Sequence, residues 1–152
     1  MHDHAAAPRL SLRGTALSAT LHCLTGCAIG EVLGLVIAVA VGLADAPSIA
    51  LAVVLAFVFG YSLTLRPLLR PLGLARAARL AFAADTVSIG VMELVDNAIV
   101  LAVPGAMAAG LGDGLFWWSL ALGLAVAFAA AYPVNVWLIA RGRGHAVVHA
   151  HH

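Results

Sequence analysis

Four long apolar stretches, residues 17–43, 48–65, 80–103 and 115–140, alternate along this chain with short polar segments. Each is of the length that crosses a hydrocarbon core, which takes about 20 residues of helix. The separators are of two kinds. ADAP and PGAMAAGLGDG are turn sequences with no basic residue, carrying only Asp45 and Asp113. The two arms and RPLLRPLGLARAAR hold all the arginines: Arg9, Arg13, Arg66, Arg70, Arg76, Arg79, Arg141 and Arg143. Pro67 and Pro71 predict a helix break there, so residues 66–79 read as a basic loop. The expected division is an arm over 1–16, a four-helix domain over 17–140 and a tail over 141–152.

Within the stretches, the polar positions are ordered. Residues four apart on a helix lie about 40° apart around its axis, so Cys23, Cys27 and Glu31 of the first stretch form one stripe. Gly30 and Gly34 fall in the same arc, and small residues at that spacing let helix backbones approach closely. In the third stretch Asp85, Met92 and Asp96 nearly eclipse one another, with Glu93 and Asn97 on one flank. The two stripes are expected to face each other, with Glu31 and Glu93 at one depth. Pro133 of the fourth stretch leaves the carbonyl of Ala129 without its usual donor, and with Asn135 nearby this predicts an opening. LAVVLAFVFGYSLTLRPLLR also aligns without gaps to LGLAVAFAAAYPVNVWLIAR. That match suggests two parallel helical-hairpin repeats.

Composition fixes the solvent. The chain is 63% hydrophobic and 10% charged, with a mean hydropathy of +1.04, outside the range of a water-soluble domain. The fold class is therefore all-α, an integral membrane four-helix bundle with the lipid bilayer as its main partner. Basic residues in short flanking segments stay on the cytoplasmic side, which puts both termini inside and the protein in the cell (inner) membrane. The first stretch is too long and too polar within to be a signal-peptide core and is expected to be retained. The His-rich end has no unbroken run of six and reads as native. A net charge of +1 gives no argument for nucleic acid.

Intramembrane carboxyls cost about 2.5 kcal/mol or more each, so function is their default reading. Thiol and thioether sulfur suit soft cations such as Cu(I), and imidazole suits copper, zinc and iron. Cys23, Cys27, Met92, His22, Glu31, Glu93 and Asp96 are thus the candidate metal site. Asp85, Asn97 and Asn135 extend a cation or proton path. His2, His4, His145, His149, His151 and His152 are candidates for cytoplasmic metal capture. Taken singly, buried cysteines are more often small packing residues than ligands. Enzymatic readings fare worse: only His22 lies within a stretch, too few imidazoles for facing haem ligands. Asp85 and Asp96 share one helix and cannot form a proteolytic dyad, and no nucleotide fingerprint is present.

HCLTGCAIGE, LRPLLR, AADTVSIGVMELVDN and PVNVWLIARGRGHAVVH together resemble a bacterial family of four-helix membrane proteins, domain of unknown function 4396, some members of which are labelled copper oxidase. The resemblance covers nearly the whole chain. It implies a four-helix membrane fold and adds weight to copper, with no catalytic residue to carry over. The expected function is transition-metal transport or binding, copper first, in a non-enzymatic protein. Four helices enclose little volume, so a homo-oligomer is expected. The alternatives are a structural or accessory membrane subunit, and a proton or cation conductor using the carboxyls alone.

Overall fold

The computed structural model describes residues 11–141 as four long helices: α1 (Leu12–Val41), α2 (Asp45–Leu72), α3 (Leu74–Ala102) and α4 (Gly114–Ala140). At 1.5 Å per residue each is about 40–45 Å long, more than the roughly 30 Å of a hydrocarbon core. Among the described residues, α1, α2 and α4 are long and apolar enough to cross a membrane. α3 is equally long, but carries Arg76, Arg79, Asp85, Glu93 and Asp96. Its three carboxyls are buried, and its outer face is Phe82, Val87, Leu94 and Leu101, all exposed. Beyond Arg79, the large exposed side chains of α3 are all apolar.

Local chemistry sets the helix ends. The Ser11 side chain caps α1 by accepting from the Gly14 N–H at 3.1 Å, satisfying one of the donors a helix start leaves open. Gly42 ends α1 in the left-handed conformation (φ 69°), where a side chain is disfavoured. A short turn then leads into α2. The expected loop over 66–79 is instead helical on both sides of Gly73. Pro67 and Pro71 each delete one backbone donor within α2 without ending it. The corner is made at Gly73 alone, whose φ of 73° lets the chain turn directly into α3.

Successive helices pack side by side, and α4 returns to α1, so the chain runs up and down around a ring. The closest pair is α1 with α2. A methyl group built on Gly26 would come within 2.7 Å of the Gly60 Cα, and one on Gly34 within 2.7 Å of the Ala52 Cα. One on Gly30 would overlap the backbone N and Cα of Ala56. The glycine stripe is therefore a backbone-to-backbone seam inside the chain.

The ungapped α2–α4 match is carried by the inward face. Ala56, Gly60, Thr64 and Leu68 are the buried residues of α2, and their partners in the alignment, Ala127, Ala131, Asn135 and Ile139, are buried in α4. Phe57 lies against Tyr61 (ring centroids 5.7 Å apart) as Phe128 lies against Tyr132 (6.1 Å).

The two ends of the bundle differ in charge. Arg13, Arg66, Arg70, Arg76, Arg79 and Arg141 are all exposed at the end formed by the start of α1, the α2–α3 corner and the finish of α4. The Arg141 guanidinium lies 4.4 Å from the centre of the Trp137 ring, a cation–π contact. Trp117 and Trp118 are exposed at the opposite, turn end. Arg9, Arg143 and the histidines at positions 2, 4, 145, 149, 151 and 152 lie outside the described residues.

Candidate functional site

Because α1 and α3 run in the same direction, their polar stripes meet as a ladder. At the first rung the Cys23 thiol donates to Asp85 Oδ1 (3.8 Å) and also neighbours Ser88. Further along, Cys27 faces the Glu93 carboxyl. At the third rung the carboxyls of Glu31 and Asp96 lie within hydrogen-bonding reach of each other. The pairing is one helical turn away from the expected match of Glu31 with Glu93. Helices that cross at an angle do not keep equal residue counts level.

The third rung is the most unusual. Asp96 is 1% exposed. Neither of its oxygens, nor Glu31 Oε1, has a hydrogen-bond donor from another group among the described residues. An ionised carboxylate only accepts, so two of them cannot bond to each other. Like charges this close in a low-dielectric interior do not both ionise. Two carboxyls in such contact can hold one proton between their oxygens. Gly123 of α4 makes room for the contact, because a Cβ there would overlap Asp96 Oδ1. Beside the pair, Glu93 is 4% exposed, and its Oε2 accepts from Asn97 Nδ2 at 3.4 Å.

The Asn135 amide is 1% exposed, and its Nδ2 donates to both Thr20 Oγ1 and Ser88 Oγ at 2.9 Å, while a pocket lies beside Pro133, bordered by Arg13, Tyr132 and Val136. The amide ties α4 to α1 and α3 one step from the Cys23–Asp85 rung. His22 Nε2 is 2.9 Å from Thr64 Oγ1 on α2.

Of the predicted metal-site residues, Cys23, Cys27 and Met92 come together in one buried apolar cluster with Ile89 and Ala56, and both cysteines are free thiols. Among the described residues, no group of three or more His, Cys, Asp and Glu side chains is arranged to hold a metal ion. Several residues in the ladder's surroundings carried no sequence signal: Thr20, Thr64, Ser88 and Gly123. Serine and threonine in apolar helices commonly bond back to a carbonyl four residues earlier, as Thr20 also does to Ala16 at 2.7 Å.

At the turn end the ladder opens into a cavity of about 80 Å³ bordered by Glu31, Ser48, Asn97 and Ser119 and otherwise by apolar side chains. The volume holds more than one water molecule, each of which occupies about 30 Å³ in the liquid. From the arginine end to this cavity, the interior offers Asp85, Cys23, the Ser88–Asn135–Thr20 network, Cys27, Glu93 and the Glu31–Asp96 pair in succession. Such a succession can pass a proton or a small cation where water is excluded.

No curated protein and no solved structure matches the chain. Residues 14–144 match the family described as Domain of unknown function (DUF4396), and with most of its length in that match the chain is a member of the DUF4396 family.

Proposed function

We propose that this protein translocates protons across the cell membrane through the interior of its bundle, with Glu31 and Asp96 as the intramembrane proton carrier. The observation that carries this reading is the contact of half-buried Glu31 with buried Asp96, where among the described residues no other group donates to Glu31 Oε1 or to either Asp96 oxygen, beside a cavity at one end of the ladder. A packing role would call for satisfied polar groups, as at Asn135. Both Asp96 oxygens and Glu31 Oε1 are buried and unsatisfied among the described residues, which favours a group that must gain and lose a proton. In this reading the arginine end faces the cytoplasm, in keeping with the retention of basic flanks on that side, and the cavity faces outward.

The test is proton flux into liposomes containing the purified protein and a trapped pH dye, driven by a potassium diffusion potential. Wild type is expected to exceed protein-free liposomes by at least about tenfold, and Glu31→Gln to return to the protein-free rate. A rate in Glu31→Gln equal to wild type would sink the proposal.

A second reading, copper binding or transport, is favoured by one observation: Cys23, Cys27 and Met92 share a buried cluster. Two thiolates and a thioether suit Cu(I), and ion entry would require both thiols to release their protons. Elemental mass spectrometry of protein loaded with Cu(I) under reducing conditions tests it. About one copper per chain in wild type and none in the Cys23→Ser, Cys27→Ser double variant is the outcome this reading requires.

A further inference from the structure

The ring of helices is least tightly closed where α4 returns to α1, the most loosely packed of the four neighbouring pairs. An open groove of about 370 Å³ lies there, lined by Arg13 of α1 and by Tyr132, Pro133 and Val136 of α4. The groove has a direction. α1 and α4 are antiparallel, and the hydrogen bond from Asn135 Nδ2 to Thr20 Oγ1 puts those two residues level. Arg13 precedes Thr20 by seven residues, which is about 10 Å toward the arginine end at 1.5 Å per residue. Tyr132, Pro133 and Val136 flank Asn135 in sequence. The charge therefore sits at the mouth of the groove and the apolar walls nearer the bilayer centre.

No carboxyl among the described residues is exposed at this end. Asp85, Glu93 and Asp96 are buried on α3, Glu31 borders the turn-end cavity, and Asp45 and Asp113 lie at the starts of α2 and α4. Arg141 is laid on the Trp137 ring, which leaves Arg13 as the cation that lines the groove. A free anion in water would gain little from one exposed arginine, because salt screens such charges. A phospholipid brings an acyl chain for the walls together with a phosphate for the mouth, and basic pockets between transmembrane helices bind anionic headgroups in this way.

We propose that the α1–α4 groove is a binding site for one anionic phospholipid, its phosphate held by the Arg13 guanidinium and an acyl chain laid along Tyr132, Pro133 and Val136. The site is on the outer surface of the bundle, separate from the ladder, and does not rest on the proton-carrier reading. Because the ring closes only where α4 meets α1, the lipid braces that closure.

Native mass spectrometry of the delipidated full-length protein, released from micelles that carry phosphatidylglycerol or phosphatidylcholine of equal chain length, counts the bound lipid. One phosphatidylglycerol per chain is expected at concentrations where phosphatidylcholine is not retained. Arg13→Gln is expected to weaken that binding by about fivefold, the share of one basic group near a membrane surface. Arg79→Gln, exposed at the same end but on α3, is expected to leave it unchanged. Val136→Phe keeps the charge and fills the groove, and is expected to lose the lipid; where it does not fold, the two arginine variants still decide.

Equal affinity for the two lipids, or equal losses from Arg13→Gln and Arg79→Gln, would overturn the site in favour of diffuse attraction to the arginine end. Retention of phosphatidylglycerol by a folded Val136→Phe would overturn the seating of its chain in the groove. Displacement by excess inorganic phosphate would assign Arg13 to a free anion and overturn the lipid.

Discussion

Gly30→Val is expected to abolish the native bundle, with no monodisperse peak in size-exclusion chromatography after detergent extraction. The valine side chain would have to occupy space taken by the backbone N and Cα of Ala56 and the carbonyl carbon of Leu55. A side-chain clash is relieved by a rotamer change, but a clash with a neighbouring helix axis requires the two helices to separate. Ordinary overpacking costs about 1–3 kcal/mol, and loss of a whole seam of close contacts takes the cost to the top of that range or beyond. Gly90→Val is the matched control, since nothing lies within 4 Å of a Cβ at that position. Its stability is expected to fall within about 0.5 kcal/mol of wild type, as for surface changes in general. If both variants behaved alike, the α1–α2 seam would not be what holds the hairpin together.

Gly123→Ala is expected to lower proton flux by at least about tenfold while leaving the helical content intact. The added methyl would fall on Asp96 Oδ1 and close to its Cγ. The carboxyl of Asp96 can swing away, unlike the backbone at Gly30, so the predicted damage is to function more than to folding: the Glu31–Asp96 contact is broken and the shared proton loses its site. The stability cost is expected in the usual overpacking range of about 1–3 kcal/mol, read from thermal unfolding by circular dichroism. Asp96→Asn removes the same carboxyl without adding volume and is expected to reproduce the flux defect. Wild-type flux in both variants would show that Asp96 takes no part in conduction and that Glu31 acts alone.

The number of helices and the inward direction of their polar stripes were legible because burial in lipid imposes a strong pattern: long apolar runs, with Cys23, Cys27, Glu31, Asp85, Glu93 and Asp96 as exceptions at helical spacing. The glycine stripe was legible as a packing surface, but its partner was not. A row of small residues fits α2 of the same chain and a second copy equally well, and only the contact of Gly30 with Ala56 decides. The basic segment over 66–79 misled because proline is a helix breaker in water-soluble proteins. Here Pro67 and Pro71 are exposed and each removes only a single donor near a helix end. The register of the ladder was out of reach, since which carboxyl meets Glu31 depends on the crossing angle of α1 and α3. The partners of Asn135 were likewise out of reach: only the placement of Thr20 and Ser88 makes its amide a cross-link between helices.

The burial of Asp85, Glu93 and Asp96 on one helix also bears on biogenesis. On insertion scales a carboxyl at mid-helix costs about 2.5–3.5 kcal/mol. Three of them make α3 a poor candidate to leave the translocon into lipid alone. The groups that offset this cost belong largely to other helices: the Cys23 thiol, Cys27 and the Glu31 carboxyl on α1, and the recess at Gly123 on α4. The α1–α2 hairpin, sealed by its glycine seam, is synthesised first and supplies half of that environment. α3 is therefore expected to enter the bilayer against a hairpin already in place.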